Sequence, residues 1–246
     1  MNDQVIQVSG VSKSYQAGGD AALVLRDIQL NVGRGQCVYL VGPSGSGKTT
    51  LLSILGCVLS ADSGSVEILG NDVRRFSPQE QARFRREKIG FVFQRFHLFD
   101  ALTAAENVCV PFDLLGRPKS SSRDKALELL AMVGLQDKAH SRVTRLSMGQ
   151  RQRVAFARAL AGEPELILAD EPTASLDAES GFNAMQALKQ FCRELDKTVV
   201  VVTHDSRIFC MADRLLRLAD GRIVGEQAVA PSAGDVPRPS DLFPVV

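Results

Sequence analysis

Gly42, Pro43, Ser44, Gly45, Ser46, Gly47, Lys48 and Thr49, with Thr50 behind them, have the spacing of a loop that cradles phosphates. Glycines let such a loop close around an anion with its amides pointing inward. Lys48 and Thr49 open a helix whose N-terminal dipole favours negative charge. At this spacing Lys48 reaches the β and γ phosphates of a nucleoside triphosphate, and the Thr49 hydroxyl holds Mg²⁺. The plain alternative is a glycine-rich turn. A second constellation lies downstream, where Asp170 and Glu171 end the apolar run Leu166-Ile167-Leu168-Ala169. Two adjacent acids at the carboxyl end of a buried strand are costly unless a cation or water uses them. Asp170 is the candidate for the Mg²⁺ shell and Glu171 the candidate general base for an attacking water, a role worth about 10²–10⁴-fold in rate. Helix capping is the competing use of this acid pair.

The elements that must hold these groups follow from the hydrophobic pattern. Cys37-Val38-Tyr39-Leu40-Val41 reads as a buried strand leading into the phosphate loop, and residues 48–58 as the helix leaving it. Residues 4–8, 24–32 and 65–69 alternate or carry β-branched side chains, which predicts a small antiparallel sheet. Residues 88–93 form a further strand, followed by helices over 101–110, 122–133 and 148–161. Thr198-Val199-Val200-Val201-Val202 and the Leu166 run are apolar on both faces, as central parallel strands are. Residues 214–218 and 222–226, joined by Ala219-Asp220-Gly221, predict a closing hairpin.

Composition narrows the classes. The 246 residues, 45% of them hydrophobic, suffice for one large core. Lys plus Arg number 29 against 28 Asp plus Glu, a balance that argues against nucleic acid as a partner. Cys37, Cys57, Cys109, Cys192 and Cys210 are scattered and form no C-x-x-C pair, so neither a disulfide framework nor a zinc site is expected. No charged-then-apolar leader opens the sequence, and no 18 apolar residues run together. The expectation is a cytoplasmic chain that spans no membrane by itself.

Taken in order, the motifs resemble those of the nucleotide-binding subunits of ATP-binding-cassette (ABC) transporters, over nearly the whole chain. After the phosphate loop come Phe93-Gln94, similar to the Q-loop of that family, and Leu146-Ser147-Met148-Gly149-Gln150, similar to its signature. Asp170-Glu171-Pro172-Thr173, Ala174-Ser175-Leu176-Asp177 and Thr203-His204-Asp205 follow, the last two resembling the D-loop and the switch histidine. The resemblance implies an α/β fold, a P-loop NTPase with a RecA-like parallel core, an antiparallel β subdomain and an inserted α-helical subdomain. It implies an ATPase domain over residues 1–227, with the helical subdomain at about 95–160 and a Pro-rich tail over 228–246. It also implies roles: ATP and Mg²⁺ as cofactors, Gln94 sensing Mg²⁺ and the γ-phosphate, His204 contacting that phosphate and holding Glu171, and Tyr15, between the first two strands, stacking on adenine. Asp177 communicates across a dimer interface in this reading.

In the family, Ser147, Gly149 and Gln150 belong to a segment that meets the nucleotide of a second copy, so ATP-driven homodimerisation is implied. Met148 departs from the usual glycine of the signature, and a left-handed backbone there would strain it. The resemblance further implies an integral membrane permease as partner, docking near Gln94-Arg95-Phe96-His97-Leu98-Phe99, and a peripheral place on the cytoplasmic face of the inner membrane. Leu102-Thr103-Ala104-Ala105-Glu106-Asn107-Val108 and residues 168–173 resemble the MacB, LolD and DevA group of exporter ATPases, which suggests export or membrane extraction of lipid-like or lipoprotein-like cargo. A cell-division-type regulator of an extracytoplasmic hydrolase is the alternative reading.

Overall fold

The computed structural model describes residues 3–17 and 20–229. Contacts divide them into two compact units, residues up to 82 together with those from 198 on, and residues 83–197.

In the first unit β1 (Gln4–Ala17) pairs antiparallel with β2 (Asp20–Gly33). Ile28, Leu30 and Val32 of β2 are buried at alternate positions, as a strand with one wet face requires. Leu25 is buried as well although it falls out of that phase. The register slips between Ile28 and Leu25, and Asp27 inside the slip takes a left-handed φ of 52°. A bulge of this kind lets the alternation restart one position on. The strands are longer than the pattern predicts, and Tyr15 lies within β1 opposite Ala22 instead of in a loop between strands. The backbone ladder carries the pairing past the point where apolar side chains stop announcing it.

β3 (Cys37–Val41) has all five residues buried and leads through the phosphate loop into α1 (Lys48–Leu55). This helix stops three residues short of the predicted end. The Cys57 amide bonds the Ile54 carbonyl at 3.0 Å and the Val58 amide the Ser53 carbonyl at 2.9 Å, with Cys57 left-handed at φ 53°. Those are the two bonds of a Schellman stop. β4 (Ser63–Ile68) pairs with β1, and β5 (Asn71–Asp72) with β4, giving the sheet order β2-β1-β4-β5.

The second unit begins within α2 (Pro78–Lys88). β6 (Ile89–Val92) precedes α3 (Ala104–Leu114), α4 (Lys119–Met132) and α5 (Met148–Ala161), and β7 (Leu166–Asp170) precedes α6 (Ala178–Glu194). α3, α4 and α5 pack on one another, and Val108, Phe112, Ala126, Leu130, Val154 and Phe156 on these helices are fully buried or nearly so. Burying each of these larger apolar side chains is worth about 1.5–3 kcal/mol, which holds the bundle together.

The chain then returns to the first unit with β8 (Thr198–Thr203), β9 (Arg214–Ala219) and β10 (Arg222–Ala228). β3 pairs parallel with β8 on one side and β9 on the other. Asp220 and Gly221, both left-handed, close the β9–β10 hairpin in the way two-residue turns favour. Most of the expected Pro-rich tail, residues 230–246, lies outside the described residues. Among the described residues no helix is long and apolar enough to cross a membrane.

One polar tie fastens β1 to the turn before β4. Lys13 Nζ lies 2.5 Å from Asp62 Oδ1, and the Ser14 amide and hydroxyl donate to Asp62 Oδ2. Lys13 and these Ser14 bonds pull the Asp62 carboxyl from 3.8 down to about 2. A depressed carboxylate stabilises the fold above its unfolded pKa and loses that contribution as the pH falls through its folded value. Asp62 is half-exposed, so solvent screening limits the effect. We expect Asp62→Asn to cost about 1 kcal/mol in urea unfolding at pH 7, with the gap to the parent closing as the pH is lowered from 4 towards 2.

Candidate functional site

Parallel pairing decides where the candidate residues emerge. In the first unit Val41, the last residue of β3, is in register with Thr203, the last of β8. The phosphate loop and His204 therefore leave adjacent strands side by side at their carboxyl ends, where α/β sheets bind ligands. In the second unit Val92 of β6 is in register with Ala169 of β7. Asp170 ends β7 one residue further on, and Gln94 and Glu171 follow the two strands at that end.

The loop can only be built with glycine at two places. Gly42 has φ 152°, and a Cβ there would lie 2.1 Å from the Leu218 carbonyl oxygen; Gly47 has φ 102°, and its Cβ would meet Leu25 Cδ2 at 2.7 Å. Gly45, at φ 80°, has nothing within 4 Å of the same position. Pro43, Ser44 and Gly45 are exposed, while Ser46, Gly47 and Lys48 are buried. Lys48 Nζ donates to the carbonyls of Gly42 and Pro43 at 2.9 Å each. Its charge is thus held under the loop, at the mouth of α1. Ser46 Oγ is buried without a hydrogen-bond partner. A narrow backbone cradle with one buried ammonium and an unpaired hydroxyl fits a polyphosphate. Thr49 is exposed and Thr50 partly so, at the start of α1. His204 is exposed, and Asp205 beside it caps the next turn by accepting from the Arg207 amide at 3.1 Å. Tyr15 is 42% exposed on β1, leaving a ring face open for stacking.

In the second unit Glu171 takes a left-handed φ of 46°, rare for a residue with a side chain and characteristic of strained functional positions. Asp170 and Glu171 are both partly exposed at the strand end. Gln94 is exposed, and its carbonyl accepts from Ser175 Oγ at 3.2 Å. Among the described residues no group of three or more His, Cys, Asp or Glu could hold a metal ion by itself. Thr49 in the first unit, and Gln94 and Asp170 in the second, each bring an oxygen donor (hydroxyl, amide, carboxylate) of the kind that suits a hard divalent cation.

The signature segment forms the N-terminus of α5. Ser147 Oγ accepts from the Gln150 amide at 3.2 Å and the Ser147 amide donates to Gln150 Oε1 at 2.9 Å, a capping box. Met148 is the first helical residue, 45% exposed, and its φ is not positive. The strain that methionine threatened there does not arise. Gly149 has a different reason to lack a side chain, since its Cβ would sit 3.3 Å from Ser180 Cβ. Asp177 accepts from the Ser180 amide at 2.9 Å, and this bond holds its carboxyl below the usual range. Two helix N-termini, those of α5 and α6, thus meet at the Gly149–Ser180 contact.

The strand predicted over 88–93 ends at Val92, residues 93–100 form a loop, and its aromatics divide: Phe96 is buried and Phe99 is 53% exposed. Two further residues shape this loop, to which the motifs assign no role, although Asn107 stands in the segment 102–108 quoted above. Asn107, fully buried in α3, accepts from the Phe99 amide at 2.8 Å and donates to the Phe99 and Thr103 carbonyls. Arg158, near the end of α5, donates to the carbonyls of Phe96 and His97. In the sequence each stands in a largely apolar helical stretch, Asn107 beside Glu106 in Ala104-Ala105-Glu106-Asn107-Val108 and Arg158 alone in Ala157-Arg158-Ala159-Leu160. Beside the loop lies a mostly apolar groove of about 250 Å³ that Phe91, Phe93, Phe99, Val110 and Leu114 help to line.

Fold and loop together define a P-loop nucleotide-binding protein with a parallel core, an antiparallel β subdomain and an inserted helical subdomain. The family pattern described as ABC transporter matches residues 25–174. The chain belongs to the ABC transporter family, as its ATP-binding domain. It is 44% identical over 227 residues to the macrolide export ATP-binding/permease protein MacB of Burkholderia pseudomallei, covering 92% of this chain and 35% of that protein. Against MacB of Photorhabdus laumondii the identity is 41% over 236 residues, 96% of this chain and 36% of the relative. The chain therefore spans about a third of the length of these curated relatives. Among solved structures, the dimeric post-hydrolysis state of the ATP-binding cassette MJ0796 bound to ADP and Pi superposes with a TM-score of 0.84 at 41% identity, covering 92% of this chain and 99% of that one. The cassette cbiO1 from Clostridium perfringens, described as part of the ABC transporter complex cbiONQ, also gives 0.84, at 27% identity.

A phosphate-loop glycine and the signature methionine separate cleanly in a mutational test. Gly47→Ala should lower stability by about 2 kcal/mol or more, because neither the backbone nor Leu25 can give way, and should weaken nucleotide binding in a fluorescence titration. Met148→Gly, which places the family's usual residue at an ordinary helical position, should cost no more than about 1 kcal/mol and leave that titration unchanged.

Proposed function

We propose that the chain is a Mg²⁺-dependent ATPase of an ABC exporter, converting ATP and water to ADP and phosphate and using the cycle to open and close a dimer. The observation that carries this reading is the in-step ending of two parallel strand pairs, which sets His204 beside the phosphate loop and Gln94 beside Asp170 and Glu171. Residues 1–227 act as one ATPase domain in this account. Tyr15 stacks on adenine, and Gly42, Pro43, Ser44, Gly45, Ser46 and Gly47 wrap the phosphates with their amides. Lys48 turns from the Gly42 and Pro43 carbonyls to the β and γ phosphates, and Thr49 and Thr50 close the cradle. Thr49, Asp170 and Gln94 would hold Mg²⁺, which would supply positive charge against the charge that builds up on the phosphates.

Glu171 takes a proton from the attacking water, and His204 orients Glu171 and contacts the γ-phosphate. Ser147, Gly149 and Gln150, at the positive end of α5, meet the nucleotide bound by a second copy. The dimeric state named for the MJ0796 cassette supports that arrangement. A permease, on a separate membrane subunit in our reading, docks a short helix in the groove beside residues 93–99, where Phe93, Phe99 and Leu114 are exposed. The names of the MacB relatives, which join macrolide export and ATP binding to a permease, support export; lipid-like or lipoprotein-like cargo and the cytoplasmic face of the inner membrane complete our reading from the sequence resemblance.

Glu171→Gln should bind ATP as tightly as the parent while turnover falls by about 10²–10⁴-fold, measured as phosphate release with saturating Mg²⁺. Release at the parent rate would remove Glu171 from the base role.

A further inference from the structure

Immediately after Gln94 the backbone does something unusual. Phe96 and His97 are consecutive left-handed residues with φ of 51° and 50°, although both carry bulky side chains. Chirality disfavours even one such residue, so a pair persists only where surrounding structure imposes it. The imposing group is Arg158, whose two terminal nitrogens reach one carbonyl each, Phe96 at 2.6 Å and His97. A planar guanidinium presents its donors in a fixed fork, so the two carbonyls must face the same way. Left-handed geometry at both residues satisfies that demand. The ring of Phe93 fills in behind, 5.6 Å from Phe91 in a stack and 4.9 Å from His97.

Arg158 is not an isolated surface cation. It is the last basic residue of α5, the same helix whose first turn carries Ser147, Gly149 and Gln150. A capped helix transmits displacement as a rod, because its backbone bonds leave little internal slack. On the other side, Ser175 Oγ holds the Gln94 carbonyl at 3.2 Å. The Gln94 loop is thus suspended between the segment that follows Glu171 and the far end of the signature helix.

We infer that Arg158 is the positioning residue that ties the Gln94 loop to the signature helix, so that movement at the N-terminus of α5 resets Gln94. The inference rests on the role given to Gln94 above. Arg158 touches neither nucleotide nor metal in this account; it acts through the backbone it holds. Lysine at the same position keeps the charge but cannot bind both carbonyls in the fork geometry. Glycine at position 97 accepts the left-handed backbone without a clamp.

The test uses the full chain as three variants: Arg158→Lys, Arg158→Lys with His97→Gly, and Gln94→Ala. Hydrogen exchange of residues 94–100, ATP affinity and turnover are measured for each. In Arg158→Lys we expect exchange in the loop to rise about tenfold while α3, α4 and the first turns of α5 keep their protection, with ATP affinity unchanged and turnover down about tenfold. Adding His97→Gly should restore much of both the protection and the turnover. Unchanged loop exchange in Arg158→Lys, or loss of protection spread evenly over α5, would overturn the clamp. So would failure of the glycine to rescue. If Gln94→Ala turns over at the parent rate, the role of Gln94 is wrong, while loop exchange still reports on the clamp independently.

Discussion

Register between parallel strands is the constraint on which everything else here depends. Parallel neighbours run in one direction, so when they end in step, the residues that follow them are delivered to one edge. Val41 opposite Thr203 and Val92 opposite Ala169 are two places where this happens. A slip of one residue in either pair would turn each side chain to the other face of its sheet and move the following loop by a full residue rise, about 3.3 Å. Burial guards against such a slip. All five residues of β3 and all six of β8 are buried, so neither strand has a polar face to offer to solvent in a shifted register.

Around those fixed ends the chain places its strain. Gly42 and Gly47 take conformations that a side chain could not share with Leu218 and Leu25, and Glu171, Phe96 and His97 are left-handed despite carrying side chains. None of these is an isolated oddity. Each follows a buried strand by five or fewer residues, or opens the helix after one, where rigid neighbours dictate the path of the backbone. Strain stored this way is characteristic of sites that hold reacting groups still. Helix ends provide the complementary device, with Ser147 and Asp177 capping α5 and α6 where Gly149 and Ser180 touch.

Much of this architecture is legible in the amino-acid order, for physical reasons that also mark where legibility stops. The central strands announce themselves because burial on both faces demands unbroken apolar runs, and α5 because its apolar stripe and Ser147 cap coincide with helix period and N-cap chemistry. The continuation of β1 through Tyr15 is hidden, since there the ladder is held by backbone bonds that any side chain permits. The stop of α1 is hidden too, because a cysteine stands in the left-handed position where glycine is the usual signal. Motif spacing brought out the residues that would touch phosphate, metal or water, yet passed over Asn107 and Arg158. Those two act on carbonyls and amides of a distant loop, and no local pattern records which backbone a buried side chain will meet.

The central claim is that the nucleotide pocket of one copy is completed by the α5 N-terminus of another. Light scattering on the Glu171→Gln chain tests it most directly, comparing the mass in solution with Mg²⁺ and ATP, with Mg²⁺ and ADP, and without nucleotide. The account predicts twice the monomer mass with ATP alone, and the return of the monomer when Ser147→Phe is added to crowd that N-terminus. A mass that stays monomeric with saturating bound ATP, or doubles equally without nucleotide, would contradict it.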